Sequence, residues 1–270
     1  MIKKGLWKTA TLAGLWATLP LFVQAASFTW SGDFDPGWKE RWGVIHDRAW
    51  WGERNMDVVV EKNGKFKKFF RVGYPAGSAS PSVSREHGAP VGGCGFYADL
   101  GIKPCDALKL SYHVRFARDF DFVKGGKLPG LFGGTVMSGG HIPDGTNGFS
   151  TRYMWRAKGD GEMYAYLPTS KVWGTSLGRG DWRFKKGAWQ HLEQTVTLNH
   201  AGKDDGSIKV CVDGKLVLDQ QGLNFRTVEG LKIEGIMFDT FFGGGDVSWA
   251  SKQDNHIDFA DFSVESVDFK

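Results

Sequence analysis

Residues 149–156 read Phe-Ser-Thr-Arg-Tyr-Met-Trp-Arg, and polar and apolar side chains alternate along them. Successive side chains of a β-strand point to opposite faces of the sheet. One face of this strand is therefore predicted to be polar and cationic, and the other apolar and aromatic. The polar face holds Ser150, Arg152, Met154 and Arg156.

Residues 162–167 alternate in the same way, with Glu162, Tyr164 and Tyr166 on one face. The connection from Lys158 to Gly161 is short and glycine-containing, which predicts an antiparallel hairpin between the two strands. Facing residues of such a hairpin lie side by side. The sequence therefore predicts one shared patch, made of Ser150, Arg152, Tyr164 and Tyr166.

The remaining sequence predicts an all-β protein. Helical periodicity is nearly absent, and short alternating runs recur between turn signals, as from Leu108 to Phe116. Asp213-Gly214 separates two further runs and is a typical hairpin turn. These features favour a sandwich or a barrel of antiparallel strands, formed as one domain over residues 27–270.

The first 26 residues resemble a secretory signal peptide. Lys3, Lys4 and Lys8 precede a mostly apolar run from Leu12 to Val23, and small residues follow. The apolar run is too short for a membrane anchor. We therefore expect an exported protein, periplasmic or secreted, with no membrane attachment after signal removal.

Charge and cysteine content narrow the function further. The formal net charge is +4, and three of the positive charges lie in the signal segment. The rest of the chain therefore has no strong basic excess, which disfavours nucleic-acid binding. Cys94 and Cys105 are close in sequence and favour a disulfide, although any pairing with Cys211 is also open. The cysteines and histidines do not follow zinc-site spacing, and no metal site is predicted.

A glycine-rich segment from Gly125 to Gly130 is interpreted as a tight loop that presents Lys127 at the edge of the next strand. Residues 127–134, 149–156 and 161–168 together resemble polysaccharide lyase family 14, the alginate lyases of sea molluscs and algal viruses. The related glucuronan lyases are similar as well. The resemblance extends over most of the chain from about Lys109 onward.

The resemblance implies a two-sheet antiparallel β-sandwich of jelly-roll type with a concave substrate groove. It also implies a catalytic set of one lysine, one serine, one arginine and two tyrosines. By motif these are Lys127, Ser150, Arg152, Tyr164 and Tyr166, with Lys124 as the alternative lysine. No cofactor is required by such a site, and a structural calcium ion in a loop is left open.

These residue types suit β-elimination of a 4-linked uronate. Its C5 hydrogen is hard to remove, because the neighbouring carboxylate is anionic. Arg152 and Lys127 are expected to neutralise that carboxylate and to lower the pKa of a tyrosine base. We assign Tyr166 as the base and as a candidate acid, while Tyr164 and Ser150 orient substrate or proton.

Six further residues are candidate substrate contacts. His113 and Arg115 share a strand face, which is equally consistent with an ordinary solvent-exposed strand. His141 lies in a loop that could cap the groove. The full set is His113, Arg115, His141, Arg156, Trp249 and Lys252.

The predicted function is cleavage of an anionic uronate-containing polysaccharide by a monomeric lyase. Alginate rich in mannuronate is favoured as the substrate, and glucuronan comes next. One alternative is a non-catalytic carbohydrate-binding sandwich. Another is a glycoside hydrolase, which requires two facing carboxylates. Glu162, Asp144 and Asp160 do not form a convincing pair, since the two aspartates fall in turn sequence.

Overall fold

The structure is a computed structural model, and it describes residues 27–269. The predicted signal segment, residues 1–26, lies outside the described residues. Within the described part, no helix is both long and apolar enough to cross a membrane.

Fourteen strands and a few short helical segments make up the described chain. The strands are β1 Thr29–Gly32, β2 Met56–Val60, β3 Lys68–Tyr74, β4 Cys94–Ala98, β5 Ala107–Phe116, β6 Gly125–Gly134, β7 Gly148–Arg156, β8 Gly161–Tyr166, β9 Thr175–Leu177, β10 Gln190–Thr197, β11 Gly206–Val212, β12 Lys215–Leu223, β13 Gly235–Phe242 and β14 Asn255–Ser266. The helices are α1 Trp38–Arg41 and α2 Pro81–His87, with 3₁₀ turns at Glu53–Asn55, Ala157–Gly159 and Val247–Trp249.

The strands form two antiparallel sheets. Sheet A has the order β12-β11-β10-β5-β14-β3-β2, and β1 also pairs with β14. Sheet B has the order β4-β13-β6-β7-β8-β9. The predicted all-β, two-sheet sandwich is therefore confirmed.

The hydrophobic core lies between the two sheets and is rich in aromatic rings. Phe238 of sheet B stacks on Phe96 with 4.7 Å between ring centroids, and Tyr112 of sheet A stacks on Phe262 at the same spacing. Tyr153 of β7 meets Tyr112 across the core at 6.0 Å. Stacked and edge-to-face rings bury large apolar areas, which holds the two sheets together.

The two predicted hairpins are confirmed. Asp213 and Gly214 join β11 to β12, and both have the positive φ that a tight two-residue turn needs. In the β7–β8 hairpin, Ser150 pairs with Tyr166 and Arg152 pairs with Tyr164. The period-two alternation thus placed the polar residues on a single face of sheet B.

The interpretation of Gly125 to Gly130 as a loop is wrong, because these residues begin strand β6. The glycines are required by crowding rather than by a turn. A Cβ atom at Gly126 would lie 2.1 Å from the Trp155 ring, and one at Gly130 would lie 1.8 Å from the carbonyl oxygen of Thr151. Lys127 therefore lies within a central strand instead of at a strand edge.

The expected disulfide is also absent from the described residues, where Cys94, Cys105 and Cys211 are all free thiols. Cys94 is fully buried in β4, and burial raises the pKa of its thiol. A neutral buried thiol behaves as a small apolar side chain, which fits its position in the core.

We predict that Gly130→Ala destabilises the protein by about 2–3 kcal/mol, because the atoms that its methyl group would meet belong to the backbone of β7 and cannot rotate away. Urea unfolding followed by circular dichroism measures the loss. Gly230→Ala is the matched control, since its added methyl group meets nothing within 4 Å. Equal stability of the two variants would contradict the close approach of β6 and β7.

Candidate active site

The outer face of sheet B carries all five residues of the predicted catalytic set. They come from three neighbouring strands, β6, β7 and β8, and side chains of β13 continue the same face. The sandwich core takes the opposite face of each strand, as shown by the burial of Phe149, Tyr153 and Trp155 against sheet A. The structure therefore brings the five together: Lys127, Ser150, Arg152, Tyr164 and Tyr166.

Lys127 occupies the centre of this group. Its Nζ donates to the Met154 sulfur at 2.7 Å and lies 3.5 Å from the centroid of the Tyr164 ring. Only 8% of the residue is exposed. A lysine packed this way is held by an aromatic face and a weak sulfur acceptor, and its charge receives little compensation from either.

The pKa of Lys127 is accordingly lowered well below its usual value. Burial is the largest cause, and the positive charges of Arg152 and Arg156 add to it. Glu162 and Asp239 oppose the shift without cancelling it. An amine in this position gives up its proton far more readily than a lysine in water does.

Arg152 forms a buried ion pair with Asp239 of β13. Its Nη1 donates to the carboxylate at 2.5 Å, and only 1% of the arginine is exposed. None of the other described residues accepts a hydrogen bond from its Nε. Burial raises the pKa of Asp239, against the lowering effect of Arg152 and Lys127.

Sequence reasoning missed Asp239. It lies in β13 and alternates with the core residues Ile236 and Phe238. This outward position in a central strand was the available signal. The register of β13 against β6 could not be read from the sequence, because the pairing is irregular between Met237 and Phe241.

The two tyrosines meet edge to face, with 5.8 Å between their ring centroids. Burial, together with Tyr166, raises the pKa of Tyr164 to about 12, and the nearby arginines only partly oppose this. Tyr164 therefore holds its proton more tightly than a tyrosine in water does. The Tyr166 oxygen accepts a hydrogen bond from the backbone N–H of Gly140 at 3.2 Å.

The β6–β7 loop, residues 135–147, covers part of this face. Ser150 is fully buried, and its Oγ donates to the carbonyl oxygen of Met137 at 2.7 Å. Met137 and Ile142 pack against the tyrosines. The loop therefore contacts two members of the predicted set, Ser150 and Tyr166, through hydrogen bonds.

Three of the predicted substrate contacts, Arg156, Trp249 and Lys252, differ in burial and in partners. Arg156 donates to the fully buried Glu162 at 2.6 Å, and its guanidinium lies 5.8 Å from the Tyr164 ring centroid. Trp249 packs against the tyrosine cluster, whereas Lys252 is exposed and lies 3.9 Å from Asp121.

His141 is exposed in the loop that holds Gly140. The alternative lysine, Lys124, contacts Ser248 and lies 5.9 Å from the Trp249 ring. It precedes β6 and is exposed, whereas Lys127 lies among the tyrosines. The structure thus favours Lys127 as the central lysine of the group.

The predicted groove contacts of His113 and Arg115 are wrong. Both belong to β5 of sheet A and project from the outer face of that sheet, on the far side of the sandwich from Tyr166. His113 stacks on His191 at 4.5 Å, and Arg115 binds Asp258. Alternation along a strand identifies its polar face, but it does not say which sheet contains the strand.

Metal ligands do not converge on this face. Across residues 27–269, no group of three His, Cys, Asp or Glu side chains is arranged to hold a metal ion. The prediction that the site works without a cofactor stays a prediction.

Comparison with known proteins identifies the family to which this chain is similar. The family described as polysaccharide lyase 14 matches residues 62–262. A crystal structure of the alginate lyase from Aplysia kurodai is similar with a TM-score of 0.75 and 31% identity, over 90% of this chain and 100% of that chain. No curated protein sequence matches.

Two more distant structures share the fold alone. The alginate lyase vAL-1 from a Chlorella virus has a TM-score of 0.70 and 23% identity, over 84% of this chain and 94% of that one. The endo-β-1,4-glucuronan lyase from the fungus Trichoderma reesei has a TM-score of 0.57 and 10% identity, over 89% and 95% of the two chains.

The two-sheet sandwich, the residues on its outer face and the family match define a polysaccharide lyase. The chain belongs to the polysaccharide lyase 14 family, which confirms the resemblance of its motifs.

We predict that Lys127→Met stabilises the protein at neutral pH. Below the usual lysine pKa of 10.5, the unfolded chain takes up a proton that the buried amine resists, so the native state loses stability as pH falls from that value. Methionine removes this loss. We expect the melting temperature to rise by at least about 2 °C at neutral pH, and the gain to shrink toward pH ~10.

Thermal melts at several pH values measure the effect, with Lys124→Met as the exposed control. A gain that stays constant with pH would show that Lys127 does not carry the lowered pKa.

Proposed function

We propose that this protein cleaves 4-linked uronate polymers by β-elimination on the outer face of sheet B. The observation that carries the proposal is the convergence of Lys127, Arg152, Tyr164 and Tyr166 on one face. In the reaction a base removes the C5 proton, the electron pair forms the C4–C5 double bond, and the C4–O4 bond breaks. The departing O4 then takes a proton from an acid.

Arg152 neutralises the substrate carboxylate in this proposal. Its Nη1 is held by Asp239, while its Nε has no acceptor among the described residues. The arginine is thus oriented before substrate arrives and keeps a donor for an incoming carboxylate. Preorganised donors of this kind stabilise charge that develops in the transition state.

Lys127 supplies a second positive charge once substrate is bound. Its pKa is lowered in the free enzyme by burial and by two arginines. A bound carboxylate would reverse part of that effect, because a negative charge within a few ångströms favours the protonated amine. The bound uronate therefore favours the charged form of the amine.

Tyr166 acts as the base and Tyr164 as a proton donor. The Gly140 N–H donates to the Tyr166 oxygen and the Arg152 guanidinium lies 5.9 Å from the Tyr166 ring, so both can stabilise negative charge there. With a pKa of about 12, Tyr164 keeps its proton at neutral pH. It can therefore donate a hydrogen bond or the proton that O4 requires.

Substrate reaches these groups when the β6–β7 loop lifts. In the described structure 2% of Tyr166 and 9% of Tyr164 are exposed, too little for a sugar to reach both hydroxyls. Gly139 and Gly140 both have positive φ, and glycine reaches other backbone conformations at low cost. Movement there would break the Gly140 hydrogen bond and free the Tyr166 hydroxyl.

The substrate class comes from the relatives. The Aplysia kurodai enzyme, at 31% identity, is an alginate lyase. The alginate lyase Aly36B, which shares the fold, has been solved in variant form with bound alginate tetrasaccharide. We therefore favour alginate as the substrate and place glucuronan second. Within alginate we keep the mannuronate-rich polymer that we expect from the sequence motifs. We further propose that the enzyme is exported and acts as a monomer.

The three candidate carboxylates argue against a glycoside hydrolase, because each of them is held by another protein group. Asp144 accepts hydrogen bonds from Thr146 in its own turn, and Asp160 pairs with Arg183. Glu162 is held by Arg156 and Ser176. Each carboxylate has a structural partner, whereas the cations and phenols that elimination needs converge.

We predict that the protein releases oligosaccharides with an unsaturated, ultraviolet-absorbing end, and that Tyr166→Phe lowers this rate by at least about 100-fold. The phenylalanine ring keeps the packing and removes the acid–base group. A panel of polymannuronate, polyguluronate, glucuronan and pectate, followed by ultraviolet absorbance, measures both results.

Tyr153→Phe is the matched control, because Tyr153 belongs to the same hairpin and faces the core. Shortened chains without ultraviolet absorbance would identify a hydrolase. Binding without any cleavage, equal in both variants, would identify the non-catalytic binding module.

Arg152→Lys tests the neutralisation of the carboxylate. Lysine keeps the charge but loses the planar fork of donors, so we expect kcat on a free polyuronate to fall by about 10-fold or more. A methyl-esterified polyuronate carries no such charge, and the variant should lose much less activity on it. Equal losses on both substrates would show that Arg152 does not act on the carboxylate. Thermal melts confirm that the variant stays folded.

A further inference from the structure

Trp173 is an exposed aromatic side chain beside the tyrosines. It lies between β8 and β9, and 57% of it is exposed. Within residues 27–269, no other aromatic residue is as exposed. Tryptophan is usually largely buried, and an exposed indole beside the tyrosines offers a flat aromatic surface to a ligand.

The backbone next to Trp173 packs directly on the two phenol rings. A Cβ atom at Gly174 would lie 2.7 Å from the Tyr164 ring and 2.9 Å from the Tyr166 ring. Residue 174 therefore has no room for a side chain. This contact fixes the chain at a set position against the tyrosines, one residue away from the indole.

The β6–β7 loop also passes close to the indole. A Cβ atom at Gly140 would lie 3.4 Å from Cζ3 of the Trp173 ring. The N–H of the same glycine donates to the Tyr166 oxygen at 3.2 Å. Gly140 thus connects the indole to the hydroxyl that we assign as the base, and the exposed ring is continuous with the reacting face.

We propose that Trp173 is the platform of an additional sugar subsite, on which one pyranose ring of the bound polymer stacks next to the residue that is cleaved. The proposal rests on the function proposed above and extends it to a specific ring. A pyranose presents an apolar face of C–H groups, which suits the π-face of an indole. Its carboxylate lies at the ring edge, and the exposed Lys171, two residues away, can meet that negative charge.

The subsite serves binding rather than proton transfer. Stacking on Trp173 holds a sugar beside the cleaved one, so it stabilises ground state and transition state to a similar degree. Loss of such uniform binding raises KM and leaves kcat nearly unchanged. A residue needed only for the fold would instead lower the melting temperature.

The experiment compares the wild-type enzyme with three variants on the preferred polyuronate. Trp173→Ala should raise KM by about 10-fold and change kcat by less than about 2-fold. Trp173→Phe keeps a stacking ring and should recover most of the affinity. Val172→Ala is the matched control, because Val172 is the neighbouring residue and is 67% exposed. Thermal melts of all four proteins check the fold.

A second measurement does not depend on turnover. Binding of a polyuronate oligosaccharide to Lys127→Met should be weakened by about 10-fold when Trp173→Ala is added. An unchanged KM in Trp173→Ala, or an equal loss in Val172→Ala, would overturn the subsite. If the wild-type enzyme gave no unsaturated product on any polyuronate, the proposed function would be wrong. The binding measurement would then still show whether Trp173 contributes to oligosaccharide affinity.

Discussion

The buried ion pair between Arg152 and Asp239 sets the geometry of the outer face of sheet B. Arg152 lies on β7 and Asp239 on β13, so the pair spans strand β6, which runs between them. A buried arginine without its carboxylate would be strongly destabilising. Gly130 lies in β6 next to Arg152 and carries no side chain, which leaves the two strands at the close spacing that the pair requires.

The positive charges near Lys127 lower the stability of the folded protein at the same place where they serve the proposed reaction. Lys127 lies near two arginines and is buried, so its protonation is resisted. Tyr164 next to it holds its proton tightly, since burial raises its pKa to about 12. The charged form of Lys127 is therefore disfavoured, and an anionic sugar would supply the negative charge that favours it. Groups poised in this way are common where function rather than stability has shaped the sequence.

How much could be predicted from the sequence differs from element to element. The β7–β8 hairpin was predictable, because period-two alternation and a short turn fix both the face and the partner of each residue. The strand β6 was not predictable, because glycines are typical of turns in a sequence. Its glycines are explained only by the structure, in which Trp155 and Thr151 leave no room for a side chain. The groove contacts assigned to His113 and Arg115 failed for a topological reason. Strand β5 pairs with β10 and β14 in the other sheet, and only long-range pairing reveals this.

The β6–β7 loop has a consequence for the tuning of the enzyme. The loop donates from Gly140 to Tyr166 and accepts from Ser150. In the proposed function, a sugar competes with the loop for these groups. The strength of that competition depends on loop residues that take no part in proton transfer. Changes in the loop can therefore adjust affinity and the release of cleaved chains independently of the chemical step.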